Sequence, residues 1–257
     1  MIAVILAAGA GTRMRDRTVP KAMRPLASKL MGATMIERQI RLLRQSVDWI
    51  IVVTGYKEEM LRNLLRPYRG MVTVVENREY ASTGSLYSFF VAQEKHDVLG
   101  RTFPVLLMDA DLLYSKEMLR KVHSQWDTSE VLVHPLCGYD DKEEVKVYGD
   151  SETKMATDIR KGSPGKDRDS VMGEAVGIVK YAPSDLDEVY DRLSVWKADG
   201  SLHKREHEDL TKHMCDRGLM SVSRCGADTL FMEVDTEEDF EEASEVMFPH
   251  IVEKEGF

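Results

Sequence analysis

Three groups of residues carry types and spacings that do chemistry. The first is Leu6-Ala7-Ala8-Gly9-Ala10-Gly11-Thr12-Arg13, followed by Pro20-Lys21. A strand running into a small-residue, Gly-rich turn exposes consecutive backbone N–H groups, and such a turn cradles phosphate oxygens. Arg13 and Lys21 add fixed cations that neutralise a triphosphate. The spacing is neither the GxGxxG of nicotinamide enzymes nor the GxxxxGK(S/T) of P-loop proteins. The competing reading is an ordinary tight turn with surface basics. The second group, Asp109-Ala110-Asp111, ends an apolar run. Two carboxylates so placed hold a hard divalent ion, although aspartate also suits a strand-ending turn. In the third, Phe231-Met232-Glu233-Val234-Asp235-Thr236, Glu233 and Asp235 alternate with apolar residues and so point to one sheet face. The competing role for Asp235 or Thr236 is to cap the helix that follows.

The elements that must position these groups are legible as periodicities. Residues 2–7, 49–54, 71–76 and 104–108 are short apolar runs of the kind that form buried parallel strands. Residues 35–45, 57–65 and 85–95 read as the helices between them. This alternation predicts a doubly wound α/β sheet whose ligands sit at the carboxyl ends of the strands. Beyond residue 130, strands are expected at 131–136, 144–148, 175–181 and 230–234, and helices at 184–196, 207–217 and 236–247. Residues 161–169 read as a polar loop. Without a repeat or a linker-like stretch, residues 1–257 are expected to form one domain, the second half completing the same sheet.

A chain of 257 residues with 43% hydrophobic and 31% charged residues has globular composition, which excludes a disordered chain. The net charge of −9 and the lack of a basic run exclude a nucleic-acid partner, so an anionic substrate needs a local positive site. The apolar N-terminus precedes Arg13, Arg15 and Arg17 rather than following basic residues, and no stretch reaches 18 apolar residues. A cytoplasmic protein without a membrane partner is expected, with a homodimer left as an option. The three cysteines, Cys137, Cys215 and Cys225, lack metal-like spacing and cannot all pair, which fits a reducing compartment. His203, His207 and His213 lie in a densely charged stretch without HExxH, so a solvated helix face is expected there rather than a zinc site.

In this order, the three groups resemble the sugar and choline nucleotidylyltransferases. LAAGAGTRM…VPKAM is similar to that superfamily's signature. IIVVTGY, ENREYASTGSLYSFFVAQE, LLMDADLLY, EVKVYGD, GEAVGIVKY and MEVDTEEDF resemble segments of the bacterial cytidylyltransferases that activate phosphocholine or small phosphonates. The resemblance implies a Rossmann-like α/β fold: a mixed, mostly parallel central sheet with helices on both faces, of the nucleotide-diphospho-sugar transferase type. Residues 1–130 would be the nucleotide-binding half and 131–257 the acceptor-binding half. It further implies that Leu6, Ala7, Ala8, Gly9, Ala10, Gly11 and Thr12 line the nucleotide, with Arg13 and Lys21 on its phosphates. Thr83, Gly84, Ser85 and Asp109 would also contact the nucleotide, Gly84-Ser85 standing where several relatives have two asparagines. Asp111 and Asp235 match the carboxylates that hold Mg²⁺ against the α-phosphate. Lys161, Glu174, Glu208 and Asp209 fall at the acceptor.

The reaction so implied needs no general base, because a phosphate or phosphonate oxygen is already anionic at neutral pH. Positioning and charge neutralisation suffice, which explains why no Ser/His/Asp or Cys/His arrangement is present. The expected function is Mg²⁺-dependent transfer of CMP from CTP to a small phosphonate or phosphomonoester, with release of pyrophosphate. Arg13, Lys21, Asp111 and Asp235 would be its catalytic residues. The alternatives are a sugar-1-phosphate nucleotidylyltransferase, a DxD glycosyltransferase, which leaves GAGTR and Pro-Lys unexplained, and a non-catalytic regulatory relative. A phosphonate is expected ahead of phosphocholine. A quaternary ammonium is best held by an aromatic cage, and the stretch 204–209 offers none, whereas Lys161, Lys180, Lys197, Lys204 and Arg205 suit an anionic acceptor.

Overall fold

The computed structural model describes residues 1–26, 33–96, 99–122, 126–135 and 144–256. The first half alternates strand and helix as the periodicities predict: β1 (Ile2–Ala7), α1 (Met35–Leu43), β2 (Trp49–Thr54), α2 (Glu58–Leu65), β3 (Val72–Glu76), α3 (Ser85–Lys95), β4 (Val105–Asp109). β5 (Leu112–Tyr114) and α4 (Lys116–Val122) follow. The second half contributes β6 (Glu130–His134), β7 (Val145–Gly149), β8 (Ala156–Lys161), β9 (Val171–Tyr181), α5 (Leu186–Ala198), α6 (His207–Asp216), β10 (Ser221–Arg224), β11 (Phe231–Glu233), α7 (Glu237–Glu242) and α8 (Phe248–Glu255).

Among the described residues a nine-stranded sheet runs β10-β6-β9-β4-β1-β2-β3, with β7 on β9 and β8 on β7. β4, β1, β2 and β3 are mutually parallel, and β9 joins β4 and β6 antiparallel. Successive residues of β1 serve opposite faces, as the pleat requires. Ile2 and Val4 pack with residues of α3, α5 and α6, whereas Ala3 and Ile5 pack with residues of α1, α2 and α4. The helices thus cover both faces of a mostly parallel sheet. A separate apolar cluster, including Met14, Leu113, Val234 and Phe248, lies under α7 and α8.

Several expected elements differ. β8 was not among the expected strands, and its last residue, Lys161, falls in the expected polar loop: it pairs on one side only, and its exposed charged residues carry no apolar alternation to read. The 131–136 strand begins at Glu130 and ends at His134; Leu136 and Cys137 lie outside the described residues. The last strand, β11, pairs with β5 in a two-stranded ribbon instead of completing the main sheet. The 236–247 helix is longer and passes through a π-helical turn at Ala243–Met247 into α8. Cys215 and Cys225 are free and buried, burial pushing their thiols up to about 12 and about 11, so neither is a poised nucleophile. Among the described residues no helix is long and apolar enough to cross a membrane.

Candidate active site

A cavity of about 730 Å³ opens at the carboxyl ends of β1 and β4, where parallel strands of this fold type leave their ligand crevice. Its floor is set by sheet register, which puts Leu6 of β1 beside Asp109 of β4. Leu6, Ala7, Gly9, Ala10, Gly11, Thr12 and Arg13 line it, and Gly11 turns the chain with φ +57°, a conformation that favours glycine. Ala8 faces away: its carbonyl accepts the N–H of Tyr56 at 3.1 Å. The small loop leaves room, since a Cβ at Gly9 would meet nothing within 4 Å.

The carboxylates converge through the β5–β11 ribbon. Glu233 pairs with Leu112, and the Val234 N–H donates to the Asp111 carbonyl at 2.9 Å, so Asp111 and Asp235 meet although they are far apart in the chain. Pro20 leads into a short 3₁₀ turn that delivers Lys21 to both. The Lys21 ammonium lies 2.6 Å from Asp111 Oδ2 and 3.1 Å from Asp235 Oδ1, and Arg13 reaches the same Asp235 oxygen at 2.9 Å. Burial draws the Lys21 ammonium down, but the facing carboxylates outweigh it and hold it above the usual lysine range. Capping falls to Thr236, which accepts the Asp239 N–H, and this leaves the Asp235 side chain to the site.

Oxygens of Asp111, Glu233 and Asp235 lie within 4.8 Å of one another. Glu233 reaches solvent as a residue, yet its carboxyl is pushed up to about 8, first by loss of water and then by the charges of Asp111 and Asp235. Asp111 Oδ1 is buried and has no hydrogen-bond partner among the described residues. Crowded oxygens with an unused acceptor are the donor set of a hard divalent cation.

The opposite wall comes from β7, β8 and the first turn of α6, with Val145, Ile159, Arg160, Lys161, Glu206, His207, Glu208, Asp209 and Lys212. Of the expected acceptor residues, Lys161, Glu208 and Asp209 are therefore on the cavity; Glu174 is not among its lining residues and pairs in the sheet with His134 and Lys146. Thr83 and Gly84 are also placed elsewhere. Thr83 Oγ1 donates to the Glu79 carbonyl, and a Cβ at Gly84 would stand 2.2 Å from the Arg205 carbonyl oxygen. Ser85 does line the cavity, but its N–H is taken by Glu206 Oε2 at 2.7 Å and its Oγ by the His207 N–H at 2.9 Å. The basic residues weighed for an anionic acceptor also disperse. Lys180 is fully buried against Glu130, Lys197 lies over Tyr87, and Arg205 lies over Trp196, leaving Lys161 of that set on the cavity wall.

His207 corrects the expectation of a solvated face. It is 6% exposed and its Nε2 lies 2.9 Å from Asp109 Oδ2. Burial alone would pull the imidazole down, but Asp109 and Glu208 push it up to about 10. Burial raises Asp109, and His207 opposes that rise. The sequence did hold a signal: His207, Leu210, Thr211 and Met214 recur at helical spacing and all are buried. Glu233 was visible as the alternating neighbour of Asp235, but not as a member of the cluster.

Residues 3–163 match the MobA-like NTP transferase domain, well over half of the chain. The choline-phosphate cytidylyltransferase of Haemophilus influenzae is 31% identical over 131 residues, covering 50% of this chain and 52% of that protein. The enzyme of the same name from Streptococcus pneumoniae is 35% identical over 123 residues, covering 47% and 48%. The chain thus matches about half the length of these curated relatives. Fold likeness extends further: the inositol-1-phosphate CTP transferase structure from T. maritima superposes with a TM-score of 0.73 at 21% identity, covering 98% of this chain and 96% of that one. By its matched residues, its sheet order and its strand-end cavity, the chain belongs to the MobA-like NTP transferase domain family.

Proposed function

We propose that the protein is a cytidylyltransferase moving CMP from CTP to a small phosphonate or phosphomonoester. The observation that carries this reading is the convergence of Lys21, Arg13, Asp111 and Asp235 at the end of the Gly-rich turn. The similarity to two choline-phosphate cytidylyltransferases supports CTP as the donor. An acceptor oxygen, already anionic, attacks the α-phosphorus. A new P–O bond forms there, the bond to the bridging oxygen breaks, and pyrophosphate leaves with that electron pair. The loop amides from Gly9 to Thr12 hold phosphate oxygens, while Lys21 and Arg13 offset their charge. Asp111, Asp235 and Glu233 would hold Mg²⁺, which supplies further charge neutralisation at the phosphates when bound. Lys161, Glu208 and Asp209, on the opposite wall, would face the acceptor, Lys161 toward its phosphorus group. One functional unit spanning residues 1–257 fits the cavity, whose walls come from both halves of the chain.

The phosphonate preference rests on two features. No Phe, Tyr or Trp is among the described residues lining the cavity, so a quaternary ammonium lacks its best partner there. Lys161 carries a positive charge on the acceptor wall. Pyrophosphate release over four nucleoside triphosphates and a panel of phosphonates, phosphocholine and sugar 1-phosphates tests both parts. CTP with a phosphonate should lead. A kcat/KM for phosphocholine more than about tenfold above every phosphonate rejects the preference, and turnover only with sugar 1-phosphates rejects the function.

A further inference from the structure

Asp109 ends β4 and Asp111 lies two residues on, in the turn to β5, and the structure treats them differently. Asp111 turns to Lys21, in the group with Glu233 and Asp235. Asp109 turns to α6, its Oδ2 lying 2.9 Å from His207 Nε2. Gly177 of β9 makes the room: a Cβ there would stand 2.6 Å from the same Asp109 oxygen, and its φ of +66° favours glycine. His207 is itself anchored, its backbone N–H donating to Ser85 Oγ at 2.9 Å. Its Nδ1 is buried and has no partner among the described residues, so Asp109 is the ring's hydrogen-bond anchor.

We infer that His207 and Gly177 form a holder that keeps the Asp109 carboxylate out of the cation cluster, making Asp109 a positioning residue and leaving Asp111, Glu233 and Asp235 as the ligands. The inference rests on reading that cluster as a cation site. Asp109 and Asp111 both line the cavity two residues apart, so without the holder both carboxylates would be free to turn to the other acids. A fourth carboxylate would then join the other three, and the number of charged ligands sets how tightly a hard cation is held. The holder removes that carboxylate and uses it to fix the start of α6, where Glu208 and Asp209 line the same cavity.

The test is Mn²⁺ binding to the full chain without nucleotide, followed by electron paramagnetic resonance. Asp111→Asn should weaken Mn²⁺ more than about thirtyfold, whereas Asp109→Asn should stay within about threefold of wild type. His207→Leu, which frees the carboxylate, should tighten Mn²⁺ about tenfold, and His207→Gln, which keeps a donor for Asp109, should restore wild-type affinity. If His207→Leu does not fold, Gly177→Ala replaces it, with the same tightening expected from a methyl driven against Asp109 Oδ2. An Asp109→Asn chain weakened more than about tenfold makes Asp109 a ligand and overturns the holder alone. Unchanged affinity in the His207→Leu or Gly177→Ala chain that folds also overturns it. A wild-type chain that binds no Mn²⁺ removes the cation reading, and the holder with it.

Discussion

At the scale of single residues, the site is a balance of charges around Lys21. Its ammonium bridges Asp111 and Asp235, and Arg13 offsets the second of these from the solvent side. Substitution of either aspartate should therefore hurt more than a change in any one contact. Asp111→Asn or Asp235→Asn is expected to lower turnover by about two to three orders of magnitude, the loss of a main charge stabiliser. Steady-state pyrophosphate release checks this, and turnover within a few-fold of wild type would remove the assignment. Lys21→Ala should depress kcat/KM by a similar factor for every acceptor, because the proposed function puts Lys21 on the common donor. Loss with one acceptor and retention with another would move Lys21 to the acceptor pocket.

Two helices meet where α3 begins and α6 begins. The Gly84 N–H donates to the His203 carbonyl at 2.8 Å, and the Leu86 N–H to the Arg205 carbonyl at 3.2 Å. Gly84→Ala would drive a methyl into the Arg205 carbonyl and should cost about 1–3 kcal/mol in denaturant unfolding, as overpacking does. Gly9→Ala makes the contrast. Its methyl meets only open cavity, so stability should stay within about 0.5 kcal/mol, while CTP binding by calorimetry should weaken as the methyl intrudes on the phosphates. Equal stability losses in the two variants would contradict this assignment. The α3 start was legible in the sequence as a helix, but the partner that fills its first turn, Glu206, comes from the other half of the chain. The N–H groups of Gly84 and Ser85, two of the residues expected at the nucleotide, are thereby taken.

Across the whole molecule, pH acts through the His207–Asp109 pair joining α6 to β4. His207 is raised from 6.5 to about 10 in the fold, so the folded chain binds a proton that the unfolded chain releases. Its stabilisation is fully present below about pH 6.5 and is lost as pH rises through about 10. Urea unfolding should therefore show the wild-type advantage over His207→Gln shrinking by at least about 1 kcal/mol between those limits. An advantage that is flat or grows with pH would mean that the imidazole is neutral in the fold.

The strands β1 and β2 and the helix α3 were readable directly, because burial imposes periodicity. Edge strand β8 was not, since an edge half open to solvent imposes no apolar pattern. Arg13, Lys21, Asp111 and Asp235 were singled out by residue type together with the family resemblance, and the fold brings them into contact. Residue type alone did not separate Asp109 from Asp111; the family resemblance did. Asp109 and Asp111 have the same type and stand two residues apart, and their side chains part through Gly177, His207 and the β5–β11 ribbon, all brought in from distant parts of the chain. Local sequence determines which groups can do chemistry; only the register of non-local strands decides which of them touch, because a side chain's direction is set by its pleat and its charge by its neighbours.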